Sequence, residues 1–197
     1  MFEIVLIGTP ATSEANSTGI SQGGGRGGPI IRFGDEDIMS PEAHGTTEMP
    51  VQEQLKFGVS QKLADKICCY NRHFAENSFS FTKSTWEDEL RQAVADGKTM
   101  TFYDSVTGKP LFIAPIGRSV YALIDDSYKH GWPSFRDAEV VWDNVRVLKN
   151  SGETVSVDGT HLGHNLPDRM GNRYCINLCC IAGYLLGPRV CFEIIDL

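Results

Sequence analysis

The stretch AEVVWDNVRVLKNSGETVSV, residues 138–157, decides the fold class of the chain. It contains two short runs in which apolar and polar residues alternate, and turn residues separate the two runs. A period of two, interrupted by Gly, Pro or Asp, is typical of β-strands. Four further runs of this kind are TFYD at 101–104, KPLFIAP at 109–115, VYALI at 120–124 and RYCINLCCIAGYL at 173–185. The pattern predicts a β-rich domain over 99–197.

Residues 51–98 carry a helical pattern instead. Apolar residues recur every four positions at Leu55, Val59, Leu63 and Ile67. A second amphipathic segment opens at Ser84, a suitable N-cap that Glu87 follows three residues later, and Gly97 is placed to end it. We expect this region to be helical and to precede the β-rich domain.

The first 50 residues differ from both regions in composition. They hold nine of the twenty glycines, with GGGRGG at 23–28, and seven acidic against two basic residues. Such a segment buries too little apolar surface to offset the entropy of ordering it, so we expect a flexible, acidic arm over 1–50. The glycine run lacks the Gly-Lys-Ser/Thr ending of a phosphate-binding loop.

The overall charge narrows the classes of partner. Twenty-five acidic and eighteen basic residues give a net charge of −7. We therefore expect neither a nucleic acid nor an anionic membrane surface as partner. No stretch approaches the ~20 apolar residues of a membrane helix. The opening MFEIVLIG lacks a basic n-region, so we expect a short strand there rather than a secretory signal.

The cysteines bear on the compartment. There are six: Cys68, Cys69, Cys175, Cys179, Cys180 and Cys191. Two pairs are adjacent in sequence and no secretory signal is recognised, which favours reduced thiols over a disulfide framework. We expect an intracellular protein, by default cytoplasmic, with an organelle left open.

The segment RYCIN at 173–177 is the most informative for chemistry. In a strand, Arg173, Cys175 and Asn177 share one face, and Tyr174 and Ile176 share the other. A guanidinium beside a thiol favours the thiolate, and a carboxamide can orient a bound oxygen. The simpler alternative is that Cys175 is a small buried apolar residue and Arg173 forms a surface ion pair.

Two histidines add candidate proton donors. His161 and His164 lie three residues apart around a glycine, and imidazole exchanges protons near neutral pH. Two alternatives stay open on the residues alone. Either the histidines are solvated loop residues, or they form a zinc site together with Cys175, since imidazole and thiolate both bind this metal.

Three segments together resemble a known family. HGWPSF at 130–135, GTHLGHNLPD at 159–168 and GNRYCIN at 171–177 occur in this order, and GKPLF at 108–112 precedes them. They closely resemble the signature of the B-type peptide-methionine (R)-S-oxide reductases, the B-type methionine sulfoxide reductases. The resemblance covers about residues 100–181, and three independent motifs agree.

The resemblance implies a role for individual residues. Cys175 matches the cysteine that attacks the sulfoxide sulfur, and Trp132 matches the aromatic residue that receives the terminal methyl group, with Phe135 beside it in the substrate site. His161 and His164 match the histidines that help to protonate the departing oxygen. The other matching polar residues of the site are Asn177, Asp168 and Arg173. The implied activity is reduction of methionine-R-sulfoxide, free or in peptides, through a cysteine sulfenic acid.

The resemblance also implies an architecture. We expect a mainly β protein with N-terminal helices, in which two antiparallel sheets form the β-tent-like fold of the methionine-R-sulfoxide reductases. No bound cofactor is expected, and an external thiol reductant (thioredoxin, glutaredoxin or glutathione) would restore the enzyme. Oxidised proteins and this reductant are the implied partners of a monomer. The alternative function is a non-catalytic ligand-binding or interaction domain on the same scaffold.

One departure from the family concerns metal binding. Many members hold a structural zinc through four cysteines, where this chain has Asp104, Thr107, Val155 and Asp158. Two carboxylates, a hydroxyl and a valine cannot reproduce a tetrahedron of four thiolates, so we expect no structural zinc.

A second departure concerns the resolving cysteine, the thiol that reacts with the sulfenic acid. Relatives often place it two residues before the tryptophan, where this chain has His130. On an extended strand Cys179 lies ~13 Å from Cys175, beyond disulfide reach, so we expect Cys179 and its neighbour Cys180 to be core residues. Two routes stay open: Cys68 or Cys69 resolves Cys175 if the helical region folds over the site, or an external thiol does so.

Overall fold

The computed structural model describes residues 31–73 and 75–186. Within these residues the fold is mixed α/β, with three α-helices, a six-stranded sheet and a two-stranded hairpin. The helices are α1 (Gln61–Tyr70), α2 (Trp86–Ala95) and α3 (Val120–His130). The strands of the sheet are β1 (Phe33–Gly34), β4 (Ser134–Phe135), β5 (Val145–Leu148), β6 (Glu153–Ser156), β7 (His161–Asn165) and β8 (Tyr174–Ile176). The hairpin pairs β2 (Met100–Tyr103) with β3 (Pro110–Ala114).

The six-stranded sheet has the order β1-β5-β6-β7-β8-β4. β5 to β8 and β4 pair antiparallel, whereas β1 pairs parallel to β5, with Phe33 opposite Val147. The expectation of two antiparallel sheets is therefore wrong for this sheet, which is mixed. The reason is that a strand from the N-terminal part of the chain, which composition assigns to a flexible arm, adds to its edge.

Residues 31–50 form part of the fold. Besides β1, this segment buries Met39 and Thr47, and the Thr46 hydroxyl donates a 2.7 Å hydrogen bond to the Gly159 carbonyl. The prediction of a flexible arm over 1–50 thus does not describe residues 31–50. Residues 1–30 lie outside the described residues.

The predicted helical region contains α1 and α2. The Ser60 hydroxyl caps α1 by accepting a hydrogen bond from the Leu63 backbone, so Leu55 and Val59 precede this helix rather than belong to it. The N-cap of α2 is Thr85 and not the predicted Ser84, although the backbone N–H of Trp86 donates to the Ser84 hydroxyl. α2 ends before Gly97, as the sequence predicts.

The run VYALI belongs to a helix and not to a strand. Ser119 caps α3 through the Ala122 backbone N–H, and Gly131 ends it in the left-handed conformation. Its buried apolar residues are Val120, Leu123 and Ile124, which follow the helical period. Five residues are too few to separate this period from strand alternation, so the helices are not confined to the N-terminal region.

The core joins the hairpin to the sheet through aromatic residues. Phe135 of β4 stacks on Phe112 of β3 at a centroid distance of 4.4 Å and meets Phe102 of β2 edge-on at 5.1 Å. Phe135 is fully buried, with its strand paired to β8. This places Phe135 in the core and corrects its assignment to the substrate site.

Two turns occupy the positions that hold zinc in many relatives of the resembled family. The Thr160 hydroxyl lies 3.0 Å from both oxygens of the buried Asp104 side chain and shares its one proton between them. The Lys109 ammonium forms a 2.9 Å ion pair with Asp158. Hydrogen bonds and an ion pair between protein groups therefore join the two turns.

The cysteines after β8 are arranged differently from the expectation. β8 ends at Ile176, and a 3-10 turn over Leu178–Cys180 follows, so Cys179 does not lie on an extension of the strand. Cys179 and Cys180 are buried, as predicted for core residues. The sulfurs of Cys68 and Cys180 lie at disulfide distance, with Cα atoms 5.5 Å apart, which corrects the expectation of unpaired thiols for this pair. Cys191 lies outside the described residues.

None of the helices formed by residues 31–73 and 75–186 has the length and apolar character needed to cross a membrane.

We predict that Phe135→Ala lowers the free energy of unfolding by ~3–5 kcal/mol, because it empties a fully enclosed aromatic site in the core. Equilibrium unfolding in urea measures the change. The matched control is Phe33→Ala, whose side chain is 56% exposed in β1 and which should cost less than ~1 kcal/mol. Equal losses for the two variants would contradict the placement of Phe135 in the core.

Candidate active site

Cys175 lies at the centre of β8, between two neighbouring strands. It stands opposite His164 of β7 and opposite Ser134 of β4 in the antiparallel register. Directly opposed residues point to the same side of a sheet, ~5 Å apart at Cβ, so the thiol and the His164 imidazole face one space. Tyr174 and Ile176 on either side are buried in the core, as strand alternation predicts.

This space is a cavity of about 330 Å³. Five of the residues predicted from sequence line it: Cys175, Trp132, His161, His164 and Asn177. Its other lining residues are Arg72, His73, Ala75, Gly163 and Leu166. The sequence motifs 130–135, 159–168 and 171–177 therefore each contribute to the same cavity.

Gly163 makes the close approach of β7 to β8 possible. A Cβ atom at this position would overlap the backbone carbonyl of Cys175. The pairing of β6 with β7 also shifts register between Thr154 and Val155. A bulge of this kind redirects side chains, and the ring centroids of His161 and His164, three positions apart in the chain, lie 5.9 Å from each other.

The environment of the Cys175 thiol has two opposing effects. Burial raises the pKa of Cys175, while the positive charge of Arg173 acts in the opposite direction and offsets part of the increase. In the resting protein burial prevails, so the thiol is mostly protonated at neutral pH. The sequence predicted the favourable effect of Arg173 but not the larger effect of burial.

Arg173 and Asp168 are not among the residues that line the cavity. Arg173 is buried, and its Nε lies 3.5 Å from Asp168. Both oxygens of Asp168 accept hydrogen bonds from Arg136, at 3.0 and 2.9 Å. The hydrogen bonds from Arg136 hold the pKa of Asp168 well below its usual range, so this residue is a carboxylate. The resemblance did not include Arg136.

His161 is held by a buried carboxylate. Its Nδ1 lies 2.7 Å from Glu153 Oε1, and Arg72 donates to the other oxygen of Glu153 at 2.6 and 2.8 Å. Burial alone would raise the pKa of Glu153, but the hydrogen bonds from His161 and Arg72 outweigh it and lower this pKa. An ionised carboxylate only accepts, so Nδ1 of His161 carries a proton and Nε2 is the nitrogen left for the cavity.

His164 is the histidine opposite the thiol. Burial lowers the pKa of His164 below its ordinary value, and the neighbouring His161 lowers it further. A neutral imidazole next to a protonated thiol can exchange a proton with a bound ligand. In the resting protein His164 can therefore accept a proton and the Cys175 thiol can donate one, as a proton-transfer site requires.

The segment after α1 forms one wall of the cavity and holds two of its residues in place. The Trp132 indole Nε1 donates a 3.0 Å hydrogen bond to the Glu76 carbonyl. The backbone N–H of Glu76 donates to Asn177 Oδ1 at 2.8 Å, and Asn177 Nδ2 donates to the Leu162 carbonyl at 3.1 Å. The helical region therefore folds over the site, as one of the two routes for a resolving thiol requires.

The cysteines of that region nevertheless do not reach the cavity. Among residues 31–73 and 75–186, Cys175 is the only cysteine that lines it. Cys68 is buried next to Cys180, and Cys69 is buried with its sulfur 3.8 Å from Asp65. Burial raises the pKa of Cys69 to about 12. The assignment of Cys68 or Cys69 as the resolving cysteine is thus not supported by their positions.

The hypothetical zinc site of His161, His164 and Cys175 does not form a close group of ligand atoms. In the described part of the chain, the groups whose ligand atoms all lie within 4.8 Å of one another involve other residues: Cys68, Cys179 and Cys180; His44, Asp65 and Cys69; Asp126, His130 and Asp168. The chemistry of the cavity is therefore best derived from the thiol and the imidazoles themselves.

Several residues of the site carry no signal that single-sequence reasoning could use. Arg72, Glu76 and Glu153 lie outside the three motifs at 130–135, 159–168 and 171–177, and the contacts of Arg72 with Glu153 and of Glu76 with Trp132 join residues far apart in sequence. The one available hint was the polar segment YNRHFAENSF next to Cys68 and Cys69, which combines Arg72, His73 and Glu76.

Comparison of the chain with protein-family models, with curated proteins and with solved structures finds no match.

We predict that Glu153 stabilises the fold only in its ionised form. Because its pKa in the folded protein lies below the ordinary 4.5, its contribution is fully present above that pH and is lost as the pH falls through the folded-state pKa. The difference in free energy of unfolding between the wild type and Glu153→Gln should therefore shrink below pH 4.5. Urea unfolding at a series of pH values measures it, with the exposed Glu53→Gln as control. A difference that stays constant with pH would contradict the prediction.

Proposed function

We propose that the chain reduces methionine-R-sulfoxide, free or in peptides, to methionine through a sulfenic acid on Cys175. The observation that supports this proposal most is the convergence of Cys175, Trp132, His161, His164 and Asn177 on one cavity. A nucleophilic sulfur, an aromatic wall and two proton-exchanging groups are what the reaction requires. With it we propose that the scaffold is a variant of the β-tent-like fold of methionine-R-sulfoxide reductases.

The proposed substrate places its terminal methyl group against the Trp132 indole. An aromatic face offers apolar contact to a methyl group, whereas the sulfoxide oxygen needs hydrogen-bond donors. Since Trp132 Nε1 is held by the Glu76 carbonyl, the orientation of the indole is fixed before substrate enters. A fixed wall on one side and donors on the other distinguish the two epimers at sulfur, because exchanging methyl and oxygen puts each group in the wrong surroundings.

The reaction begins with attack of the Cys175 sulfur on the sulfoxide sulfur. As the oxygen is protonated, the substrate S–O bond breaks and an S–O bond forms on Cys175, which leaves methionine and a cysteine sulfenic acid. The substrate sulfur gains two electrons and the cysteine sulfur loses two. No metal or bound cofactor has to take part in this balance.

Proton transfer falls to the two histidines. The His164 imidazole faces the thiol across the strands, so it can receive the thiol proton and pass it to the sulfoxide oxygen. His161, whose Nδ1 donates to Glu153, presents Nε2 as a second atom that can exchange a proton. The amide of Asn177 is positioned by Glu76 and Leu162 and is a polar contact for the substrate.

The sulfenic acid is returned to a thiol by an external reductant. One thiol displaces the sulfenic oxygen as water and forms a mixed disulfide with Cys175, and a second thiol releases Cys175 and leaves the reductant as a disulfide. Thioredoxin, glutaredoxin and glutathione can supply these thiols. This route follows from the position of Cys175 as the one cysteine lining the cavity in the described part of the chain.

The first test compares the two epimers. We expect turnover of the R sulfoxide with dithiothreitol, little turnover of the S sulfoxide, and no turnover by Cys175→Ser, which removes the nucleophile at nearly constant volume. Chromatographic detection of methionine measures the product. The matched control is Cys69→Ser, which changes a buried thiol away from the cavity and should keep activity.

Full activity of Cys175→Ser, or no turnover of either epimer, would overturn the proposal. Saturable binding of sulfoxide without turnover would instead favour a non-catalytic ligand-binding domain.

The second test concerns the proton donor. The active form combines a thiolate with a protonated His164, and the pKa of His164 lies below 6.5 while that of Cys175 lies above 9.0. Between these two pKa values, the fraction of thiolate rises with pH as fast as the fraction of imidazolium falls. The kcat/KM of the wild type should therefore not change with pH in this range. His164→Ala should lower kcat/KM by ~100-fold or more and make it rise with pH over this range, because only the thiolate requirement is left.

Steady-state kinetics across the pH range measure both profiles. Asn165→Ala, on the next residue of β7 and outside the cavity lining, is the control and should keep the level profile. A level profile for His164→Ala would assign the acid role to His161 instead.

A further inference from the structure

A chain of buried charges runs from α3 to the thiol. Asp126 of α3 accepts hydrogen bonds from Arg118 at 3.0 Å and from Arg136 at 3.0 and 2.8 Å. Arg136 continues to Asp168, and Asp168 lies next to Arg173, which interacts with Cys175. The charges alternate in sign along this chain and end at the sulfur.

Arg136 binds both oxygens of Asp168, one of which also accepts a 2.8 Å hydrogen bond from the Met170 backbone N–H. Its Nη1 and Nη2 donate to the two carboxylate oxygens at 3.0 and 2.9 Å, the geometry of a bidentate pair. Asp126 fixes the other edge of the guanidinium, and Arg136 Nη1 also donates to the Asn172 carbonyl at 3.3 Å. Asp168 is thereby kept at 3.5 Å from Arg173 Nε, too far for a strong hydrogen bond.

Arg173 is left with unused donors in a buried place. Its residue exposure is 7%, and its Nε and Nη1 have no hydrogen-bond partner among the described residues. Leaving buried donors of a charged group unsatisfied costs free energy unless an acceptor arrives. Cys175 lies two residues further along the chain, on the side of the extended backbone that Arg173 shares, so its sulfur and any oxygen that this sulfur takes up are candidate acceptors.

We propose that Arg136 is a positioning residue: by binding both oxygens of Asp168 it keeps this carboxylate 3.5 Å from Arg173 Nε, so that the Arg173 donors without a hydrogen-bond partner stay available to the sulfur and the sulfenic oxygen of Cys175. Without this hold, Asp168 closes on Arg173 and forms a short, hydrogen-bonded ion pair with it. The inference concerns the acidity of Cys175, which can be measured without turnover. It rests on the proposed function only where it gives Arg173 a part in catalysis.

The groups that face Cys175 must be considered together, because all of them influence its ionisation. β7 contributes His161 and His164, the segment after α1 contributes His73, and α3 contributes Asp126 and His130. Arg173 and, behind it, Asp168 complete the set, while Ser134 of β4 is neutral. A test therefore has to keep the net charge of the site constant.

Arg136→Lys meets this requirement, because lysine keeps the charge but cannot bind both oxygens in parallel. We expect the rate of alkylation of Cys175 by iodoacetamide at neutral pH to fall about tenfold, since thiolate becomes scarcer when Arg173 is captured. Mass spectrometry of the peptide containing Cys175 measures the rate as a function of pH, independently of turnover. An unchanged rate and pH profile would overturn the proposal.

A double-mutant cycle identifies Asp168 as the intermediary. Arg136→Lys should slow alkylation in the wild-type background but have no effect in the Asp168→Asn background, where no carboxylate is present to capture Arg173. The same slowing in both backgrounds would mean that Arg136 acts without Asp168 and would overturn the proposal.

A measurement on the unmodified protein covers the case in which Arg136→Lys does not fold. The side-chain Nε–H resonance of Arg173 should titrate with the ionisation of Cys175 and lose this titration in Cys175→Ser. A resonance that does not respond to Cys175 would show that Arg173 is already paired and would overturn the inference. If the alkylation and titration results are as expected but no sulfoxide is turned over, the proposed function is rejected and the role of Arg136 is not.

Discussion

The pairing of β7 with β8 at Gly163 is the contact on which the rest of the site depends. Because residue 163 has no side chain, the carbonyl of Cys175 can lie against it, and Cys175 stands opposite His164. Trp132 precedes the strand on the other side of β8, so three separate chain segments meet around one thiol. A larger residue at 163 would separate these strands and with them the groups of the cavity.

Burial is the common cause of the ionisation states in the cavity. It raises the pKa of the Cys175 thiol and lowers the pKa of the His164 imidazole, so both groups are mostly neutral in the resting protein. Charge is concentrated next to them, in the pair of Arg72 with Glu153 and in the series of arginines and carboxylates that reaches Arg173. A charge that develops on sulfur or oxygen during a reaction is thus met by fixed partners rather than by water.

The sequence was most informative where a residue and its surroundings are close in the chain. Strand alternation correctly placed Cys175 and Asn177 on the cavity and Tyr174 in the core, because a period of two fixes which side each residue faces. Phe135 was misplaced, since its stacking on Phe112 and its edge-on contact with Phe102 depend on how the hairpin folds over the sheet. The same holds for β1, α3 and the partners of Glu153 and Asp168, which distant segments supply.

The hydrogen bond between the Trp132 indole and the Glu76 carbonyl joins the aromatic wall of the cavity to the segment after α1, which forms another wall. Since Glu76 also binds Asn177 through its backbone N–H, a ligand that pushes the indole aside must also displace the covering segment and the amide that it orients. The size limit for a ligand and the enclosure of the cavity therefore depend on the same contacts. A bulky ligand would therefore lose its contact with the Asn177 amide and become exposed to water at the same time.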